Sequence, residues 1–176
     1  ERVALLQLAH EAILAALENR NRRPYAITEH LSQLRGAFTT VYSQGRLRGC
    51  VGYPTAVSPL YITVIETAQS AAFEDPRFVP VSLSEVPGLK ISISVLSPVA
   101  PIRAEEIIIG RHGLIISEGV FRGLLLPQVP VEHGWDRITF LEQTCRKAGL
   151  PLDAWKSGAN IEAFTAEVFG DPDAEH

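Results

Sequence analysis

The 176-residue sequence contains no methionine, only two cysteines and only three lysines. Two cysteines that form no Cys-x-x-Cys pair are too few for a disulfide scaffold, so we expect a reduced, cytoplasmic protein. No run of about 18 apolar residues and no N-terminal signal segment is present, which argues against a membrane-spanning protein. The formal net charge of −4 gives no overall positive field that would attract nucleic acid or anionic lipid. Because the sequence starts at Glu1 without a methionine, we expect further residues before it.

The usual motifs for nucleotides, serine nucleophiles and metals are also absent. The glycines form neither G-x-G-x-x-G nor G-x-x-x-x-G-K, and no G-x-S-x-G elbow is present. His112 and His133 are far apart and lack the spacing of metal-binding histidine pairs. We therefore expect no metal site, and the cofactor stays unknown.

What the sequence has is enough apolar side chain to form a core. Hydrophobic residues make up 46% of the chain and charged residues 20%, which is typical of a folded protein. The length of 176 residues predicts one domain or two small lobes that share a core. Periodicity and turn residues predict an α+β fold with antiparallel sheets and flanking helices. The predicted helices cover Leu5–Leu17, a segment opened by Ser58 and Pro59, and a segment that Asp136 caps and that ends at Gly149. Ser82 and Glu85 predict a capping box for a further short turn of helix. The predicted strands are Phe38–Tyr42, Leu47–Gly52, Lys90–Leu96, Ile107–Ile109, Leu114–Ser117, Val120–Leu126 and Phe164–Phe169.

The turn residues Ser43-Gln44-Gly45-Arg46 between the first two predicted strands predict a β-hairpin. The sharpest chemical feature is Cys50 on the second strand of this hairpin. Strand alternation puts Arg48 and Cys50 on one face, and the glycines at 49 and 52 are typical of a bulge or a close approach to the backbone. A cation beside the sulfur would favour its thiolate form. The opposing interpretation is a buried structural cysteine with Arg48 passing beside it. Cys145, on the apolar stripe of a predicted helix, is interpreted as core.

Two further places could carry chemistry. Glu66 lies mid-helix among hydroxyl residues and is either a general base or a solvated carboxylate. The Asp75-Pro76-Arg77 loop is charged, and Asp75 is expected to bond backbone donors in its own turn. Arg77 has the planar fork that binds anions.

The segment Leu47-Arg48-Gly49-Cys50-Val51-Gly52 resembles the L-R-G-C-I-G hexapeptide of the AMMECR1 family. The resemblance continues through Asp75-Pro76-Arg77-Phe78, Ser92–Leu96, Gly113–Ile116, Leu124–Pro130 and Gly134-Trp135-Asp136, and so covers nearly the whole chain. The segment Leu-Leu-Pro-Gln-Val-Pro resembles the corresponding sequence of the prokaryotic branch of the family, called AmmeMemoRadiSam system protein A. That name refers to association with Memo-like and radical-SAM proteins.

The resemblance implies one AMMECR1 domain over residues 1–176 with two unequal lobes. The larger lobe would comprise about residues 1–53 and 89–176, and the smaller about 54–88, with the hexapeptide near the cleft between them. The family has no settled reaction, so the resemblance names positions without naming chemistry. Those positions are Arg48, Gly49, Cys50, Gly52, Asp75, Arg77, Gln128 and Trp135, with Glu66 in a looser match.

Whether the protein is an enzyme is left open by the sequence. In one hypothesis it is a cysteine-dependent enzyme or redox component in which Cys50 reacts, Arg48 steadies the thiolate or an anionic substrate, and Glu66 or Asp75 moves protons. The alternative is a non-catalytic module that binds a ligand or partner, with Memo-like and radical-SAM proteins as candidate partners. A third interpretation makes the hexapeptide purely structural. We expect a monomer or weak homodimer.

Overall fold

The computed structural model of the protein describes residues 1–174 and shows helices packed against two antiparallel sheets. The predicted α+β class is therefore confirmed. The chain divides into two compact units, one made of Glu1–Leu96 with the segment from Glu167 onward, the other of Ser97–Ala166. These boundaries differ from the smaller lobe that the resemblance implies at about residues 54–88. The helix Leu60–Phe73, which lies within residues 54–88, packs on the sheet of the first unit and belongs to the same hydrophobic core.

The first unit contains two helices and a four-stranded sheet. The helices are α1 (Arg2–Leu17) and α2 (Leu60–Phe73), and the strands are β1 (Ala37–Ser43), β2 (Arg46–Tyr53), β3 (Leu89–Leu96) and β8 (Ala166–Gly170). The sheet order is β2-β1-β3-β8, which places β2 at an edge. A short 3₁₀-helix, Leu83–Gly88, precedes β3 and begins with the predicted capping box of Ser82 and Glu85.

The β1–β2 hairpin fixes which side chains face the helices. Gln44 and Gly45 connect the strands with positive φ angles of 52° and 74°, which suits a tight hairpin turn. Thr39 faces α2, because its hydroxyl lies 2.8 Å from that of Thr67. Thr40, one residue later, pairs with Cys50 on β2. Since successive side chains on a strand alternate, Thr40 and Cys50 lie on the sheet face opposite α2.

The second unit has its own sheet and core. Its strands are β4 (Ala100–Pro101), β5 (Gly113–Glu118), β6 (Phe121–Leu125) and β7 (Asn160–Phe164), in the order β4-β7-β5-β6. Two helices, α3 (Gln128–His133) and α4 (Arg137–Lys147), follow β6. Asp136 accepts the Thr139 backbone N–H at the start of α4, so the predicted cap is confirmed. Cys145 is fully buried in this core, as predicted.

Three sequence predictions about elements need correction. Ile107–Ile109 is not a strand, because the chain leaves the 3₁₀-helix Ala104–Glu106 and enters a turn. The single strand predicted at Phe164–Phe169 is two, β7 and β8, which belong to different sheets. The helix predicted from Ser58 begins at Leu60, with Pro59 as the capping residue. None of the helices among residues 1–174 is both long and apolar enough to cross a membrane.

Candidate functional site around Cys50

The position of Cys50 depends on a close approach of β2 to the end of α2. A Cβ atom at Gly49 would lie 1.8 Å from the carbonyl oxygen of Ala71, so only glycine lets the strand come this near. Two residues after Ala71 the helix ends at Phe73, and Pro76 prevents its continuation. The chain therefore turns beside β2, and Asp75 reaches the Cys50 backbone.

Asp75 is the central group of this turn. Its side chain is only 4% exposed, and its carboxylate accepts the Cys50 backbone N–H at 3.0 Å and the Arg77 backbone N–H at 3.1 Å. The second bond is the local turn contact that the sequence predicts. The Arg77 guanidinium adds two more bonds, at 3.0 Å and 2.7 Å. These hydrogen bonds, chiefly those from Arg77, hold the pKa of Asp75 well below its usual range.

Arg77 is paired with Asp75 on one side and open to water on the other. Its side chain is 58% exposed, and its Cζ lies 5.4 Å from the centre of the Phe78 ring. The bonds to Asp75 raise the pKa of Arg77, and an electrostatic interaction with Cys50 acts in the same direction. Arg77 is thus a fixed, accessible cation near the cysteine.

Cys50 itself is half-buried and unbridged. Its Sγ lies 3.3 Å from the Thr40 hydroxyl oxygen on β1, a contact that follows from the hairpin register. Gly52 pairs with Phe38, and a Cβ at Gly52 would lie 2.0 Å from the Phe38 ring. Both glycines of the hexapeptide therefore allow close packing, one against a helix backbone and the other against an aromatic ring.

Arg48 binds Glu85 and Val79 and does not take the predicted role of steadying the Cys50 thiolate. Its Nε and Nη2 donate to the two carboxylate oxygens of Glu85 at 3.0 and 3.3 Å, and its Nη1 donates to the Val79 carbonyl at 2.7 Å. The pair is largely shielded from water, and the bond from Arg48 is the main cause that lowers the pKa of Glu85 to about 2. The β2 pairing also shifts register here, because Val41 pairs with Gly49 and the next residue pairs with Leu47. Arg48 thus lies in a bulge, where strict alternation does not apply.

The remaining predicted residues lie elsewhere. Glu66 is exposed on α2, which packs on the sheet face opposite Cys50. Gln128 begins α3 and is exposed, and Trp135 is half-buried beyond α3 with its ring 4.6 Å from that of His133. Both belong to the second unit. No group of three or more potential metal ligands occurs among residues 1–174.

Two contacts of the site escape sequence reasoning. Thr40 belongs to none of the sequence motifs, and it lies opposite Cys50 only because of the hairpin register. Glu85 is recognisable from the capping box of the 3₁₀-helix, but its pairing with Arg48 spans 37 residues. A tertiary ion pair of this separation leaves no local pattern in the sequence.

Comparison with known proteins decides the family. The AMMECR1 family model matches residues 6–169. The chain belongs to the AMMECR1 family. Its relatives include Protein MK0488 from Methanopyrus kandleri, 44% identical over 97% of this chain and 88% of that protein. A protein from Aquifex aeolicus is 42% identical over 94% of this chain and 90% of the relative.

The solved structure of an AMMECR1-type protein supports the same fold. The crystal structure of the uncharacterised protein PH0010 from Pyrococcus horikoshii matches with a TM-score of 0.81 and 40% identity, covering 95% of this chain and 89% of that one. The names of these proteins state no activity or ligand. The comparisons therefore establish family and fold, while the chemistry has to be argued from the site.

Proposed function

We propose that this AMMECR1 protein is a cysteine-dependent enzyme or redox component in which Cys50 reacts and Arg77 binds an anionic substrate beside it. The observation that carries the proposal is the Asp75 carboxylate. It bonds both the Cys50 backbone and the Arg77 guanidinium, and so ties an accessible cation to the strand that bears the thiol.

Two groups adjoin Cys50, the Thr40 hydroxyl at its sulfur and the Arg77 guanidinium through Asp75 at its backbone. The Thr40 hydroxyl, 3.3 Å from Sγ, can turn to donate a hydrogen bond to a thiolate. The Arg77 guanidinium supplies a positive charge that also attracts a carboxylate or phosphate group of a substrate. A hydroxyl donor and a cation are two of the features found near reactive cysteines. In this proposal Arg77 takes the role that sequence reasoning gives to Arg48.

In the nucleophilic form of the reaction, the Cys50 thiolate attacks the carbonyl carbon of an acyl substrate that carries an anionic group. The sulfur–carbon bond of a thioester forms as the bond from that carbon to the leaving group breaks, and the leaving group departs with the electron pair and takes a proton. Water then attacks the same carbon and breaks the sulfur–carbon bond, which releases the acid and restores the thiol. We assign the proton exchange to solvent. Asp75 already accepts four hydrogen bonds, and Glu66 lies on the helix side of the sheet.

The test is the alkylation rate of a protein whose only thiol is Cys50. Cys145→Ala removes the buried cysteine, and the rate with iodoacetamide is followed from about pH 6 to 9, around the ordinary thiol value of about 8.5. We expect Cys50 to react faster than a free peptide thiol near neutral pH, and Arg77→Gln to slow it. The matched control Glu66→Gln should leave the rate unchanged. A rate no faster than that of the peptide thiol over the whole range would reject the proposal.

A second candidate is a non-catalytic binding module that works with Memo-like and radical-SAM proteins. It is favoured by the internal contacts of Asp75 and Arg48. Because of these contacts, Asp75 is not free to move protons and Arg48 is not free to steady a thiolate or an anionic substrate. In this case Cys50→Ser leaves binding of the purified partner proteins intact, while Arg77→Ala or Trp135→Ala weakens it. The reverse pattern supports the enzyme.

The setting in which this site works is part of the proposal. We place the protein in the cytoplasm, where an unbridged thiol stays reduced, and expect a monomer or weak homodimer. Sedimentation velocity over a range of protein concentrations measures the oligomeric state. A concentration-independent tetramer or larger species would contradict this expectation.

A further inference from the structure

A cavity in the first unit, away from the residues of the Cys50 site, lies along one face of α1. Its volume is about 440 Å³, within the range of sites that bind small molecules. Gln7, His10, Glu11 and Leu14 line it from the helix. Residues three, four and seven positions apart in a helix lie on the same face, so one side of α1 forms a continuous wall.

The floor of the cavity is apolar. Leu8 is almost fully buried, and Tyr25 packs against the cluster that contains it. Leu14, Pro24 and Val86 complete the apolar lining. A ligand that displaced water from this surface would gain free energy roughly in proportion to its own buried apolar area.

Most charged groups at the rim are already paired. Arg20 forms ion pairs with Glu11 and Glu18, and the Arg23 backbone N–H also bonds Glu11 at 3.0 Å. These hydrogen bonds lower the pKa of Glu11 to about 2. His10 bonds the Asp171 carboxylate at 2.6 Å. Among residues 1–174, the one carboxylate in the lining is Glu11, and its charge is therefore compensated by Arg20.

Arg23 is the exception at the rim. Arg23 lines the cavity and is exposed, and its guanidinium forms no hydrogen bond or ion pair with any residue in 1–174. Its charge contributes only a weaker electrostatic effect on Glu11. The Gln7 side chain, also in the lining, has no bonding partner among these residues either. An unpaired guanidinium and an amide thus adjoin an apolar floor.

From this arrangement we infer that the cavity binds an organic anion with an apolar body, such as an aromatic or acyl carboxylate or sulfonate. The apolar part contacts Leu8, Leu14 and Tyr25, and the anionic group pairs with the Arg23 guanidinium while the Gln7 amide donates a hydrogen bond. Arginine suits this role because its planar fork can bind two oxygens of one anion.

Two fluorescent dyes of similar aromatic bodies test the inference, the anion anilinonaphthalene sulfonate and the uncharged N-phenyl-naphthylamine. We expect saturable binding of the sulfonate to the folded protein with one site. Arg23→Gln, which keeps the backbone bond to Glu11, should weaken sulfonate binding roughly three- to tenfold and leave the uncharged dye unaffected, as expected for loss of a partly exposed charge contact. Arg22→Gln is the matched control, because Arg22 is exposed and lies outside the cavity lining.

A second variant fills the cavity without disturbing the core. Gln7 is exposed on α1, so Gln7→Trp places a ring into the cavity opening and should abolish binding of both dyes, with the circular dichroism spectrum unchanged. Cys50→Ser should change neither affinity. Absence of saturable binding, equal effects of Arg23→Gln and Arg22→Gln, or unimpaired binding in Gln7→Trp would each overturn the inference. Loss of binding in Cys50→Ser would assign the dye to the Cys50 site instead and overturn it as well.

Discussion

The close contact between Gly49 and α2 makes a quantitative prediction about the hexapeptide. In Gly49→Ala the new Cβ would lie 1.8 Å from the Ala71 carbonyl oxygen and 2.8 Å from its carbonyl carbon. Both atoms are backbone, so no side-chain rotation relieves the clash. Since contacts under 3.0 Å are essentially never seen for real Cβ atoms, β2 and the end of α2 must move apart. Overpacking of this kind costs about 1–3 kcal/mol, and a purely backbone clash should lie at about 3 kcal/mol or more.

Two other glycines in the first unit provide the comparison. At Gly52 the nearest atom is 2.0 Å away but belongs to the Phe38 ring, which can swing aside, so Gly52→Ala should cost about 1–2 kcal/mol. At Gly88 no atom lies within 4 Å of the added Cβ, and Gly88→Ala should stabilise the fold by about 0.5 kcal/mol.

Urea denaturation followed by far-ultraviolet circular dichroism measures all three variants against the unmodified protein. The expected order of stability is Gly88→Ala, then the unmodified protein, then Gly52→Ala, and last Gly49→Ala. If Gly49→Ala is as stable as Gly52→Ala, the strand and helix are not in the close contact described, and the argument that places Asp75 at the Cys50 backbone is refuted.

Three further predictions concern Arg48, Cys145 and Gly134. Arg48→Gln should lower the unfolding free energy by about 1 kcal/mol near pH 7; because the folded-state pKa of Glu85 is depressed to about 2, this contribution is present above pH ~4.5 and lost as the pH falls toward ~2. The difference in unfolding free energy between the unmodified protein and Arg48→Gln, measured by urea denaturation, should therefore vanish in acid. A difference that does not change with pH would contradict the ion pair. Burial raises the pKa of the Cys145 thiol, so in Cys50→Ser this thiol should react with a disulfide reagent only on unfolding; rapid native labelling would contradict its burial. Gly134→Ala should cost about 1 kcal/mol, because its φ is +65° while no atom lies within 4 Å of a Cβ; thermal unfolding unchanged from the unmodified protein would contradict it.

Sequence reasoning predicts elements and local turns well in this protein. The hairpin, the capping box at Ser82 and the cap at Asp136 follow from residues close together in the chain, and the structure contains all of them. The Asp75 turn contact is of the same kind. The strand prediction for Ile107–Ile109 is wrong because three apolar residues are too few to show a period, and the buried Ile107 contributes to the core from the end of a 3₁₀-helix.

The candidate site could be predicted only in part. Cys50 and Asp75 are recognisable, but their contact joins residues 25 positions apart and depends on the close packing at Gly49. Arg48 is predicted from strand alternation to flank the sulfur, whereas a bulge and the pairing with Glu85 give it a different role. Arg77 can be predicted to bind an anion from its side-chain chemistry. No local pattern predicts that it lies near Cys50, because Asp75 makes this connection by bonding both residues.

The central claim, that Arg77 supplies the positive charge beside Cys50, is tested most directly by a ratio of two alkylation rates. In Cys145→Ala, Cys50 is alkylated with the anionic iodoacetate and the neutral iodoacetamide at equal pH and low salt. A nearby accessible cation raises the relative rate of the anionic reagent. We predict that Arg77→Gln lowers the iodoacetate-to-iodoacetamide ratio several-fold and that Arg48→Gln leaves it unchanged. A ratio that falls in Arg48→Gln and stays constant in Arg77→Gln would contradict the account.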